Sequence, residues 1–248
     1  MKEVRYYREC LLSAIGRGEM KVGSLFTGIG GLDLGLERAG MKIAWRVEID
    51  PFCRQVLEKH WPHVPKYGDI RQIRGDELEP VDLIAGGFPC QPVSVAGKRK
   101  GQKDERWLWP EFARIIRVVR PQYVLVENVP GLLVREMGDV LGDMAEMGYD
   151  AEWFVFPARA VGAAHLRERV FIFAHPPGPG LERCRLSEFQ PTTPLETITR
   201  DTLLSESAIV RNRNGVPHYV DRIGALGNAV VPQVAEVIGK AIMTYNKD

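Results

Sequence analysis

The chain has 248 residues, 45% of them hydrophobic and 26% charged, a balance that excludes a disordered or fibrous polymer and fits one large domain, or one large plus one small. Lys and Arg total 33 against 32 Asp and Glu, so a formal charge of +1 gives no global pull towards a polyanion, and any nucleic-acid contact must come from local clusters. No run approaches the roughly 18 uninterrupted apolar residues of a membrane helix, and the polar start MKEVRYYREC does not read as a signal peptide; the expectation is a soluble, cytoplasmic protein with no membrane partner.

In chain order, apolar residues from Lys2 to Ile15 repeat at helical spacing until Gly16 and Gly18 end the pattern. A strand is predicted from Val22 to Phe26, a helix from Leu32 to Ala39 and a strand from Ile43 to Val47. The next helix starts at Pro51 with Asp50 as its N-cap. Val81 to Ala85 reads as a buried strand, Glu111 to Val119 as a helix, Tyr123 to Val126 as a strand, Leu133 to Met147 as a helix and Val170 to Ala174 as a strand. From His175 to about Arg213 the pattern breaks, with proline and glycine clusters and no clear period. A last helix is predicted from Val231 to about Met243. Strand and helix alternating with short joints imply an α/β fold with a doubly wound, mostly parallel sheet, whose ligands sit beyond the carboxyl ends of the strands.

The chemistry-bearing motifs fall at those ends. Phe26, Thr27, Gly28, Gly30 and Gly31 join a strand to a helix, and Glu48 follows at the end of the next strand; glycines admit a ligand close to the backbone and a carboxylate there can accept from a ribose. A nucleoside-containing cofactor fits this pattern, as does a plain packing turn. Asp33 stands where a dinucleotide fingerprint needs glycine, which disfavours a nicotinamide oxidoreductase. Gly86, Gly87, Phe88, Pro89, Cys90, Gln91 and Pro92 run from a buried strand into a cysteine between two prolines, a rigid presentation of a nucleophile. Cys10, Cys53 and Cys184 read as small buried apolar residues, and the absence of a CxxC pair or of ligand spacing argues against a structural metal. Glu127 and Asn128 end the strand beside Cys90, offering an acid. Arg167 and Arg169, two apart, are expected to share one face of an extended segment and to fork onto an oxygen or phosphate.

Together with Gly68-Asp69-Ile70 and Gly227-Asn228-Ala229-Val230, these segments in this order resemble the C5-cytosine DNA methyltransferases over about residues 21–174 and 211–245. The resemblance implies the Rossmann-like fold of S-adenosylmethionine-dependent enzymes with a very small second domain: residues 1–174 plus 218–248 would be catalytic and 175–217 a reduced recognition region. It implies S-adenosyl-L-methionine held by Phe26, Thr27, Gly28, Gly30, Gly31, Glu48, Ile49, Asp69, Ile70, Gly87, Pro89, Leu108, Asn228, Ala229 and Val230. Cys90 would add to carbon 6 of a flipped-out cytosine, with Glu127, Arg167 and Arg169 completing the catalytic set. Gln91, Ser94, Lys98, Arg99, Lys100, Asn128 and His165 would meet the substrate, with the basic segment Ser94 to Arg106 closing over double-stranded DNA. His165 replaces the family's usual Gln, and the recognition region is short, as in phage-type members. A monomer and a cognate restriction endonuclease are the implied assembly state and partner. A transfer-RNA cytosine methyltransferase and an inactive DNA-binding member are the alternatives.

Overall fold

The computed structural model describes residues 19–89, 107–163, 165–177, 225–226 and 228–246. The N-terminal helix expected from Lys2 to Ile15, Cys90, Gln91, Ser94 and the basic segment through Arg106, Gly227 and nearly all of 175–217 lie outside the described residues, as do Cys10 and Cys184.

Seven strands form one sheet in the order β3-β2-β1-β4-β5-β7-β6. The parallel part comprises β1 (Lys21–Leu25), β2 (Lys42–Val47), β3 (Lys66–Tyr67), β4 (Leu83–Gly86) and β5 (Tyr123–Asn128). β6 (Asp150–Pro157) and β7 (Glu168–His175) close the far edge, with β7 antiparallel to both neighbours. Four helices link the parallel strands and their edge: α1 (Gly31–Arg38), α2 (Pro51–His60), α3 (Trp109–Val119) and α4 (Met137–Glu146); α5 (Pro232–Tyr245) ends the described chain. This is the doubly wound, mostly parallel architecture expected from the alternation of periods.

Each face of the sheet has its own core. Leu25, Ile84, Val124, Val126 and Ile172 pack against Phe112, Ile115 and Ile116 of α3 and Val140 and Met144 of α4. On the reverse face Val22, Leu83, Leu125, Phe171 and Phe173 pack against Leu32 and Leu36 of α1 and Val234, Ile238 and Ile242 of α5. Residues 123, 125 and 127 thus share one face of β5, as the two-residue period of a strand requires.

Local sequence accounts for the element ends. Asp50 caps α2 by accepting from the Cys53 N–H at 2.8 Å, and Pro51 occupies the first turn, where its missing N–H costs nothing. The single helix expected from Leu133 to Met147 is corrected: a 3-10 turn, Pro130–Val134, comes first, Arg135 leaves helical geometry at φ −124°, and α4 begins only at Met137. Neither β3 nor β6 was anticipated. Phe154 and Phe156 pack inward against the α1 and α5 side while Trp153 and Val155 stay partly open to solvent at the sheet edge.

Candidate active site

A cavity of about 610 Å³ opens at the carboxyl ends of the parallel strands, large enough for a nucleoside-sized ligand. One half is built on the loop after β1. Phe26 adopts φ 54° and Gly28 φ 58°, a left-handed stretch that folds the chain back over the sheet edge, and the Thr27 N–H donates to the Val47 carbonyl at 3.1 Å. Left-handed backbone is costly for a residue with a side chain, on the order of 1–2 kcal/mol, so the surroundings must hold Phe26 in place. The Gly28 N–H donates to Glu48 Oε2 at 2.6 Å and the Asp50 N–H to Oε1 at 2.7 Å, fixing the Glu48 carboxylate at the cavity wall. Burial pushes its carboxyl above the usual range, against the lowering effect of those two amides. Ile49, 58% exposed, and Ile70 give apolar faces on either side, while Asp69 is engaged by Arg71, which holds its carboxyl below the usual range. Asn228, Ala229 and Val230 form the opposite wall.

The other half is acidic. Glu127 and Arg169 stand on the same sheet face on neighbouring antiparallel strands: Glu127 pairs in register with Phe171, so Arg169 is its diagonal neighbour. Arg169 Nε lies 2.9 Å from Glu127 Oε1, but the approach is not aligned for a hydrogen bond, and among the described residues Oε1 has no hydrogen-bond partner. Burial dominates and pushes the Glu127 carboxyl up to about 7 despite the opposing pull of Arg169 and Arg167. A buried carboxyl raised to about 7 is about half protonated at neutrality, and that protonated fraction is suited to donate to a ligand. Gly87 makes its space: a Cβ there would come within 2.5 Å of Glu127 Oε2.

Most of the residues expected from sequence therefore meet in one cavity: Phe26, Thr27, Gly28, Glu48, Ile49, Asp69 and Ile70 on one side, and Gly87, Pro89, Leu108, Glu127, Asn128, Arg169 and the last motif on the other. Several roles change. Gly30 and Gly31 stand beneath the wall: Gly30 packs on the Trp61 indole, and a Cβ on Gly31 would meet the Val230 carbonyl at 2.3 Å. Arg167 does not share a strand face with Arg169; it precedes β7 at φ 33°, and its Nη2 donates to the Ala229 carbonyl at 2.6 Å, tying the last motif to the arginine segment. Asn128 lines the cavity, yet its amide is committed to the backbone, accepting from Val129 N–H at 2.8 Å and donating to the Phe88 carbonyl at 3.2 Å, two residues before Cys90. His165 is exposed and off the cavity wall. Cys53 is buried against that wall with its thiol pushed up to about 12 by burial and by Glu48, which leaves it inert, as the sequence suggested.

The sequence reading missed a buried polar cluster beneath the glycine turn. Asp33 and Arg46, both fully buried, are 2.6 Å apart, Ser24 Oγ donates to Asp33 at 2.6 Å, and the Arg46 guanidinium lies 4.4 Å from the centre of the Trp61 ring. The available signal was an arginine inside the otherwise apolar strand Ile43 to Val47.

Residues 20–215 match the C-5 cytosine-specific DNA methylase family. The chain belongs to that family. The Type II methyltransferase M.NgoMIV of Neisseria gonorrhoeae is 38% identical over 59% of this chain and 49% of its own length. M.HhaI of Haemophilus parahaemolyticus is 32% identical over 75% of this chain and 57% of its own. A crystal structure ascribed to a DNA modification methyltransferase of an E. coli prophage superposes with a TM-score of 0.55 at 27% identity, covering 64% of this chain and 47% of that one. The S. pombe Dnmt2 methyltransferase shares the fold at a TM-score of 0.52 and 19% identity. The chain spans about half the length of the C5 methylases it matches. Among the described residues no helix is long and apolar enough to cross a membrane, and no group of side chains is arranged to hold a metal ion.

Proposed function

We propose that the protein transfers a methyl group from S-adenosyl-L-methionine to carbon 5 of cytosine in double-stranded DNA. The observation that carries this reading is a single cavity that joins a glycine-turn and carboxylate half, at Gly28 and Glu48, to an acid half at Glu127 and Arg169. The residues present suit the cofactor: each Glu48 oxygen has accepted one amide and retains a lone pair for a ribose hydroxyl, and Ile49 and Ile70 offer flat apolar contact for a purine. When bound, S-adenosylmethionine supplies an electrophilic methyl group.

Carbon 5 of cytosine is a poor nucleophile. Addition of the Cys90 thiolate to carbon 6 forms a sulfur–carbon bond and moves electron density to carbon 5, while protonated Glu127 donates to ring nitrogen 3 as charge gathers there. In this reading Arg169, 2.9 Å from the carboxyl, holds the ring carbonyl oxygen. Loss of the carbon 5 proton, to water in this reading, returns the electron pair and expels the thiolate, and ring nitrogen 3 gives its proton back to Glu127. Because carbon 6 is inaccessible inside a duplex, the target base must leave the stack, at a cost of a few kcal/mol. Residues 175–217 would form the recognition region, and a restriction endonuclease of the same sequence specificity is the partner this reading implies.

The test incubates the full chain with labelled S-adenosylmethionine and duplex DNA, single-stranded DNA or transfer RNA, then maps the modified base. Cytosine C5 labelling of the duplex is expected, and Cys90→Ala should abolish it while leaving cofactor affinity within about twofold, because only the nucleophile is lost. Near-wild-type turnover of that variant would remove the thiol from the mechanism; labelling of transfer RNA alone would overturn the substrate.

A further inference from the structure

We propose that the buried Asp33–Arg46 pair, which touches neither the cavity nor its ligand, is the positioning device that holds the cofactor loop in its strained shape through Ser24 and Thr27. The proposal rests on the reading of this cavity as the S-adenosylmethionine site.

The hydrogen-bond directions follow from the partners. Asp33 can only accept when ionised, so Ser24 Oγ spends its proton on Asp33 Oδ1 at 2.6 Å. Ser24 Oγ is then left to accept, and the Thr27 hydroxyl, 2.9 Å away, donates to it in preference to the Ser24 and Val47 carbonyls, each at 3.4 Å. Asp33 Oδ2 takes Arg46 Nε at 2.6 Å. A directed chain thus runs from Thr27 through Ser24 to a carboxylate paired with a guanidinium, and charge-assisted bonds are about twice as strong as neutral ones. Thr27 follows Phe26, whose left-handed backbone must be held by its neighbours.

The second arm of the cluster reaches the same loop from below. Trp61 lies over Arg46, donates Nε1 to Glu37 Oε2 at 2.9 Å, and packs under Gly30, where a Cβ would come within 3.0 Å of the indole. Arg46 sits on β2 immediately before Val47, whose carbonyl receives the Thr27 N–H, and two residues before Glu48, which receives the Gly28 N–H. One ion pair therefore fixes α1 and β2 together at the point where both contribute to the cavity. A buried pair is weak evidence for stability, since apolar replacements of similar size are often neutral or stabilising. Placement of the loop is the role that its connections support.

The test separates placement from folding. Removing Asp33 alone strands a buried charge and is expected to unfold the chain, so the informative variants are Ser24→Ala, which cuts the link and leaves the pair, and Asp33→Ala with Arg46→Met, which removes both charges. Melting temperature and the dissociation constant for S-adenosylhomocysteine are measured on each, without reference to turnover. Ser24→Ala, measured well below its melting temperature, should weaken binding about tenfold, while the lost bond to a buried carboxylate lowers the melting temperature by several degrees. The charge-free pair should weaken binding to a similar extent, and adding Ser24→Ala to it should cause no further loss, because both cut one chain of bonds. Wild-type affinity in Ser24→Ala, or fully additive losses, would overturn the proposal. Failure of the wild-type chain to bind the nucleoside at all would instead overturn the reading of the cavity.

Discussion

A carboxyl asked to donate near pH 7 must keep its proton in a good share of the molecules, and desolvation that outweighs two nearby arginines raises Glu127 far enough for that. The consequence for stability has a definite sign. A carboxyl raised from 4.5 to about 7 binds its proton more tightly in the folded state, so its contribution is full below 4.5 and is lost as pH rises through 7. That loss is about 3–4 kcal/mol. Glu127→Gln carries no such titration: its melting temperature should exceed that of the wild type at pH 8, with the gap vanishing near pH 5. Gly87 offers a second residue-scale test. Its backbone is not left-handed, so alanine costs it no strain, and the one severe conflict is with Glu127 Oε2 at 2.5 Å. Gly87→Ala should lower methyl transfer at least about tenfold, since sub-ångström displacement of a positioned group is enough, while moving the melting temperature little. Glu127, Glu48 and the glycine turn were readable in the sequence because each ends an apolar strand. Asp33 and Arg46 were not, because their partnership crosses two elements and leaves no periodic trace; Asp33 was noticed only as a missing glycine.

At the scale of elements, the longer strands and amphipathic helices were readable with ends shifted by a residue or two, whereas the two residues of β3 are too few to show a period. The exceptions have local causes: Pro130 and the non-helical Arg135 divide a pattern whose apolar spacing looks continuous, and β6 is an edge strand with a half-exposed outer face, so its apolar run lacks the flanks of a buried strand. The α1–α5 contact gives a prediction in which two effects oppose. Alanine at a helical glycine gains up to about 1 kcal/mol in propensity, whereas overpacking costs about 1–3 kcal/mol. At Gly35 a Cβ would meet the Pro232 carbonyl at 2.3 Å and Ala235 Cβ at 2.4 Å, so the clash wins and Gly35→Ala should lower the melting temperature. At Gly142 on α4 no atom lies within 4 Å, so Gly142→Ala should raise it. Thermal unfolding of the two variants side by side checks both signs.

For the whole molecule, strand direction decides which residues can meet. Parallel strands deliver their last residues to the cavity rim, and the reversed β7 delivers its first ones to the same rim, which is how Arg169 reaches Glu127 across a long sequence gap. The wall formed by Asn228 to Val230 has a counterpart in the loop after β1, and the two meet backbone to backbone where Gly31 faces the Val230 carbonyl. A molecule lodged between them would act as a clasp across the seam between the earliest and the latest parts of the described fold. Its grip should be felt unevenly: with S-adenosylhomocysteine bound, amide exchange in α5 should slow more than in β5, a buried central strand whose amides are expected to open only with global unfolding. The nucleoside would thus steady the last described helix as well as fill the centre of the fold.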